Sequence, residues 1–494
     1  MPEKGWVPDM NRSRVRITSL LLAAVLALML CMTAWAADDT RRSPSFVVEN
    51  GDKLLVGDVF NKVLWELDGS RYTTYAGRIV GYNAAGEPVG LVADGDAKSA
   101  CFSEPWGAAP YRDGWAVTDT AANAIRYLAG GKVTTVFGAS TVGRKNAFLK
   151  RPTGIASDGR GGLYIADTGN DRVCYLNKEG VMSVPLTELT EPTGLCYADG
   201  ALYVAETGKN RILRFAAGET EVLAGTLVLE DSEYIGGYVN GRAAKARFDH
   251  PQGIAVGRDG TVYVADTDNH AIRMLRGGRV YTLASEKDGL MSPRGLLVKG
   301  DTLYVADTFS GKVFSFSLKN EVFTDVPADA WYAAALQEVR YCGIINGVGN
   351  SRFAPENKAT NAEFAVMLSR MNLFLDGADV IDGDMKFSDV ADSAWYAPYV
   401  RWAGDNGLMG TANGAFRPNE LITPEQMLLV LYRYDRSLAA SGASAQNATA
   451  EEAVRWAKSK KLTDGIADFE AALRRPIDRA TAAALFAAYL KNCR

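Results

Sequence analysis

One frame recurs six times in the first two-thirds of the 494-residue chain, and it constrains the fold more than any other feature. Pro152-Thr-Gly154-Ile-Ala is followed by Leu163-Tyr-Ile-Ala-Asp167-Thr-Gly-Asn170. Pro251-Gln-Gly253-Ile-Ala is followed in the same way by Val262-Tyr-Val-Ala-Asp266-Thr-Asp-Asn269. The frame also holds from Pro192 to Glu206, where glutamate replaces the aspartate, and from Pro293 to Asp307. Weaker copies run from Pro105 to Asp119 and from Pro44 to Asp58. Insertions fall between copies and not inside them, so each copy is a structural unit.

Within a copy, short apolar runs separated by Asp-Gly or Gly-Gly pairs read as strands joined by hairpins. "GIAV", "VYVAD", "AIRML" and "RVYTLAS" are four such strands in one copy. A lone four-stranded meander cannot bury both faces, so six of them over residues 44 to about 320 predict a six-bladed β-propeller closed by radial stacking. The fourth strand of the last blade is ambiguous between "NEVFTDV" and the segment before Pro44. Strand alternation puts the turn between strands two and three on the same face as the links between blades. That face also collects the long insertions Arg78 to Phe102 and Thr226 to Asp249 and a shorter one, Ala139 to Lys150. Irregular chain on a rigid scaffold is where binding concentrates.

The residue after each proline should line the channel: Trp106, Thr153, Thr193, Gln252 and Arg294. A tryptophan beside an arginine and small polar groups suits a sugar or a peptide. The recurring acids Asp58, Asp119, Asp167, Glu206, Asp266 and Asp307 sit at strand ends once per copy. That periodicity points to turn formation and not to calcium. Arg172 and Arg211, in the same turns, are expected to pair with neighbouring acids or carbonyls.

The "PxGIAV…YVADTxNxxI" frame resembles the NHL repeat family, whose members are six-bladed propellers. Some related propellers are lyases or hydrolases, and those resembling peptide-amidating lyases use several histidines around zinc and calcium. This chain has two histidines, His250 and His270. They supply no cluster of imidazoles, and no nucleophile elbow stands out. The sequence therefore assigns no catalytic residue, no metal ligand and no cofactor. A net charge of −4 argues against nucleic acid as a partner.

From Phe323 the pattern turns helical and repeats again, with an echo at Phe387. Asp325 aligns with Asp389, Trp331 with Trp395, and Phe353 with Phe416. Thr360-Asn-Ala-Glu363 and Thr423-Pro-Glu-Gln426 are capping boxes that start helices. An eroded third copy runs from about Thr449 to Cys493. These residues resemble S-layer homology (SLH) domains, which attach proteins noncovalently to cell-wall polysaccharide, often a pyruvylated glycan. The family's Thr-Arg-Ala-Glu uses its arginine to grip an anion. That arginine is replaced by Asn361 and Pro424 here and is kept only as Arg479. Arg479, Trp331, Trp395, Asp325 and Asp389 are the candidate glycan-binding residues, with Arg352, Arg417 and Arg475 as substitute cations.

Arg12, Arg14 and Arg16 precede an apolar run from Leu20 to Met32 and a small-residue exit, Ala34-Trp35-Ala36. This reads as a secretory signal peptide over residues 1–36. Cleavage would leave a mature charge of −6 and no transmembrane segment. The five remaining cysteines are scattered without metal or disulfide spacing. The expected organisation is an all-β then all-α multidomain protein: a signal peptide, a propeller over residues 37–322, and helical repeats over 323–372, 387–435 and 449–494. The expected function is an exported surface binder of an unknown protein, peptide or glycan, attached to secondary wall polysaccharide. The alternatives are a propeller-type lyase or hydrolase and an architectural surface-layer component.

Overall fold

A computed structural model describes residues 41–138, 149–318, 323–376, 383–410, 413–439 and 447–493. The proposed signal peptide lies outside the described residues, as does nearly all of the insertion from Ala139 to Lys150. Six antiparallel sheets of three to five strands follow one another along the chain, and their innermost strands pack side by side in a ring. These strands are Pro44–Asn50, Pro105–Tyr111, Pro152–Ser157, Pro192–Ala198, Pro251–Val256 and Pro293–Lys299. The protein is thus a six-bladed propeller followed by a helical region. Apolar side chains of facing sheets fill the space between blades, as Ile125 does with Ile155 and Ile165.

The repeated glycine after each proline has a steric cause. A Cβ on Gly253 would stand 1.7 Å from the Arg294 carbonyl oxygen of the next blade. Neighbouring inner strands therefore touch backbone to backbone. The first copy carries Phe46 in that position, and its ring occupies the space where Gly57 lacks a Cβ.

Blade six has three strands among the described residues, ending at Lys312–Ser317. The described parts of both segments that could have supplied a fourth strand are coil or turn. Closure comes instead from packing of the first blade's inner strand against the last. The two long insertions do more than decorate a face. Gly95–Asp96 and Gly241–Arg242 each return to pair with the outermost strand of the blade that follows. In each case a fully buried arginine on the third strand holds the insertion. Arg126 donates to the Cys101 and Ala93 carbonyls and to Asp94; Arg273 donates to the Arg247 and Val239 carbonyls and to Asn240.

The helical region contains α1 (Ala333–Tyr341), α2 (Asn361–Asp376), α3 (Ala397–Asp405), α4 (Pro424–Ala439), α5 (Ala450–Ser459), α6 (Phe469–Ala472) and α7 (Arg479–Cys493). None of these is long and apolar enough to cross a membrane. The capping boxes form as expected: Thr360 N donates to Glu363 Oε2 at 2.9 Å, and Glu363 N donates to Thr360 Oγ1 at 3.2 Å. The eroded third copy occupies an equivalent place. Ala359 N donates to Ile477 O, Ile477 N to Ile422 O and Ile422 N to Ala359 O, a cyclic set that relates the three copies.

Propeller and helices share one apolar core, in which Tyr281 and Leu303 join Leu336 and Phe374. Tyr281 stacks on Phe374 with centroids 5.6 Å apart and donates to Glu338 Oε1 at 2.8 Å. Burial pushes the Tyr281 phenol far up, with Glu338 adding to the shift. A cavity of about 730 Å³ lies between Phe316 of blade six and Leu336 and Gln337 of α1.

Candidate functional site

The site begins with the acids that close each blade. Each is fully buried and accepts hydrogen bonds from the backbone just ahead of the proline in its own blade. Asp167 takes Lys150 N at 2.7 Å, Glu206 takes Thr190 N at 3.0 Å, and Asp266 takes Asp249 N at 2.7 Å. Arg172 and Arg211 pair with Asp167 and Glu206. A carboxylate is suited to this place because it accepts several N–H donors that a strand end leaves unpaired.

The threonine after the acid does a job that sequence reasoning missed. Thr120 Oγ1 donates to Pro152 O, Thr168 to Pro192 O, Thr207 to Pro251 O, Thr267 to Pro293 O, and Thr308 to Pro44 O. In the remaining junction Ser45 Oγ donates to Pro105 O at 2.7 Å. Six hydroxyls thus clasp each blade to the next, and the Thr308 bond closes the ring. The signal was present in the repeated Asp-Thr pair.

These clasps set the strands that line the channel. Trp106, Thr193, Gln252 and Arg294 meet in a cavity of about 90 Å³ on the axis, together with Ser45. Thr153 does not line that cavity. It is buried, with its hydroxyl 2.6 Å from Thr168 Oγ1, and Thr193 makes the matching 2.5 Å contact with Thr207. The Arg294 guanidinium lies 4.7 Å from the Trp106 ring centroid. Burial pulls Arg294 below its ordinary value, while Asp268, Glu104 and Asp307 oppose the shift. Gln252 Oε1 and Arg294 Nε are buried without a hydrogen-bond partner among the described residues.

Spacing in the sequence gives no cluster around the histidines, but the fold makes one. His250 Nδ1 stands 2.8 Å from Asp249 Oδ1 and 3.0 Å from Asp268 Oδ2. His270 is not part of that group.

In the helical region Asp325 is half-buried and Asp389 exposed, and each carboxylate is held by the backbone of the loop beside it. Asp325 accepts Phe353 N and Ala354 N, and Asp389 accepts Phe416 N and Arg417 N, so both carboxylates shape the Phe-containing loops. Arg479 is 6% exposed and donates to the Phe353 and Asn346 carbonyls while lying over the Phe353 ring. Trp331 and Trp395 are 55% and 64% exposed, each edge-on to the following tyrosine. Arg352, Arg417 and Arg475 are also exposed.

The NHL repeat family matches residues 248–274, and the S-layer homology domain family matches 322–365 and 386–428. The chain therefore contains an NHL repeat and two S-layer homology domains. A "Cell surface protein" of Thermoanaerobacter kivui is 33% identical over 113 residues, covering 22% of this chain and 15% of that protein. The "S-layer protein sap" of Bacillus anthracis is 28% identical over 156 residues, covering 31% and 18%. The chain spans less than a fifth of the length of these relatives. Among solved structures, a virginiamycin B lyase from Staphylococcus aureus aligns with a TM-score of 0.40 at 14% identity, over 57% of this chain and 97% of that one. Likeness at this level says nothing of chemistry.

Proposed function

We propose that this chain is a cell-surface binding protein, with a propeller that holds a glycan or peptide at its channel and a helical unit that fixes it to cell-wall polysaccharide. The S-layer homology domains and the surface-layer relatives support a surface-anchored, cell-wall-attached protein. In this reading the segment over 449–494 acts as the third anchor repeat, beside those over 323–372 and 387–435.

One observation carries the binding role. Trp106 and Arg294 converge from the two blades that flank blade one, and the buried Gln252 Oε1 and Arg294 Nε leave an acceptor and a donor unused beside them. An aromatic face with a nearby guanidinium and amide matches the mixed apolar and polar surface of a sugar or a peptide. On the anchor, the exposed Trp331 and Trp395 offer faces for sugar rings, and Arg479 braces the Phe353 loop of the first repeat from inside. The test is a glycan and peptide array probed with the full chain and with Trp106→Ala and Arg294→Ala. A ligand lost by both variants supports the reading; ligands unaffected by either overturn it. The anchor role is tested by retention on purified wall before and after its secondary polysaccharide is stripped, where equal retention overturns it.

A further inference from the structure

We propose that Asp249, His250 and Asp268 form a binding site for a divalent first-row transition metal on the loop-rich face of blade five. This stands apart from the ligand reading above and needs none of it. The three ligand atoms, Asp249 Oδ1, His250 Nδ1 and Asp268 Oδ2, all lie within 4.8 Å of one another. Two atoms bound at about 2.1 Å stand about 3.0 Å apart at the right angle of an octahedral ion and about 3.4 Å apart at a tetrahedral one. The observed separations from Nδ1 of 2.8 and 3.0 Å fit adjacent octahedral positions and need to open slightly for tetrahedral ones. One imidazole nitrogen with two carboxylate oxygens suits zinc, cobalt or nickel better than a hard cation that takes only oxygen.

A neutral imidazole has at most one proton to offer at Nδ1, yet two carboxylates converge on that atom. A cation placed among the three satisfies both. The side chains are between a third and rather over half exposed, at 33, 49 and 56%, so a bound ion keeps positions open to solvent.

The repeat itself provides the second line of argument. Every blade presents three residues at this place: the two before its proline and the second after its acid. In blade three they are Lys150, Arg151 and Gly169; in blade four they are Thr190, Glu191 and Gly208. The backbone is the same in all three blades, with Arg151, Glu191 and His250 at φ of 48, 46 and 45°. Asp249 N is held by Asp266 as Lys150 N is by Asp167. The fold therefore asks for none of the three ligating side chains, and blade five alone supplies all of them.

The same comparison supplies substitutions that the scaffold tolerates: His250→Arg and Asp268→Gly, each found at the equivalent position of another blade. Tag-free full-length chain would be dialysed against Zn²⁺ or Co²⁺ and its bound metal measured. The expected result is one ion per chain, at least about tenfold weaker binding in both variants, and unchanged binding in His270→Asn. In the unaltered chain, Zn²⁺ should shift the imidazole NMR signals of His250 and leave those of His270 in place. Absence of stoichiometric metal overturns the assignment. So does affinity retained in both variants, or a shift confined to His270.

Discussion

Replacing Arg273 with methionine should unfold far more than one turn. Arg273 is fully buried and donates to Asp266 at 2.5 Å, to the Arg247 and Val239 carbonyls at 3.1 and 2.8 Å, and to Asn240 Oδ1 at 2.8 Å. Its guanidinium also lies over the rings of Tyr238 and Phe248, 4.5 and 5.2 Å from their centroids. Methionine keeps most of the packing and removes the charge. Asp266 is then buried with only Asp249 N and the Asn269 amide as donors. Burial already pushes its carboxyl up from the ordinary range, and Arg273 is the largest of the effects that pull it back. Breaking a buried pair by removing one partner costs about 3–5 kcal/mol. At about 2–4 °C per kcal/mol for a cooperative unit of this general size, the thermal midpoint should fall by roughly 10 °C. Limited proteolysis should show the insertion over residues 226–249 cut first, because Arg273 ties it to the blade. The double variant Arg273→Met/Asp266→Asn, which buries no unpaired charge, should recover part of the loss. A loss below about 1 kcal/mol in the single variant, or a double variant as damaged as additivity requires, would refute the reasoning.

Gly253→Ala should be among the most damaging single changes in the propeller, at about 3 kcal/mol or more, since its Cβ cannot coexist with the Arg294 carbonyl without moving a whole blade. Gly81→Ala, with nothing within 4 Å of its Cβ, should fall within about 0.5 kcal/mol of the parent in urea unfolding; similar midpoints for the two would contradict the packing argument. Acid should loosen the helical region through Asp325 and Asp389. Burial pushes each carboxyl up, but two backbone N–H donors outweigh it and hold both below the ordinary range. A folded value below the unfolded one, about 3.9, means the stabilisation is complete above that pH and lost as pH falls through the folded value. The Asp325→Asn/Asp389→Asn chain should therefore show a flatter fall in thermal midpoint below about pH 4 than the parent, and identical acid limbs would count against it.

What could be read from the linear sequence tracks how local the cause is. Strands, turns and the six blades were legible because proline and acid answer to contacts that recur in every copy, and glycine to contacts that recur in all but the first. The same holds for the capped helices, where Thr360 and Glu363 are one turn apart. The Asp-Thr clasp was visible as a repeat but not as a bond, because its acceptor belongs to the next blade. Arg126 and Arg273 were harder still. A mid-strand arginine ordinarily marks the exposed face, and only the return of an insertion some 25 to 35 residues upstream turns it inward. The Asp249–His250–Asp268 group shows the limit most clearly. Its members lie 19 residues apart at the widest, with no metal-ligand spacing, and they meet only because Pro251 pairs with Asp266 across the first two strands. Once that register is known, the copies can be superposed and read for what the scaffold does not require. In a repeat protein, function is then sought where one copy departs from its siblings at a position whose backbone they share. By that criterion blade five, and not the more regular blade three, is where chemistry beyond folding is to be looked for.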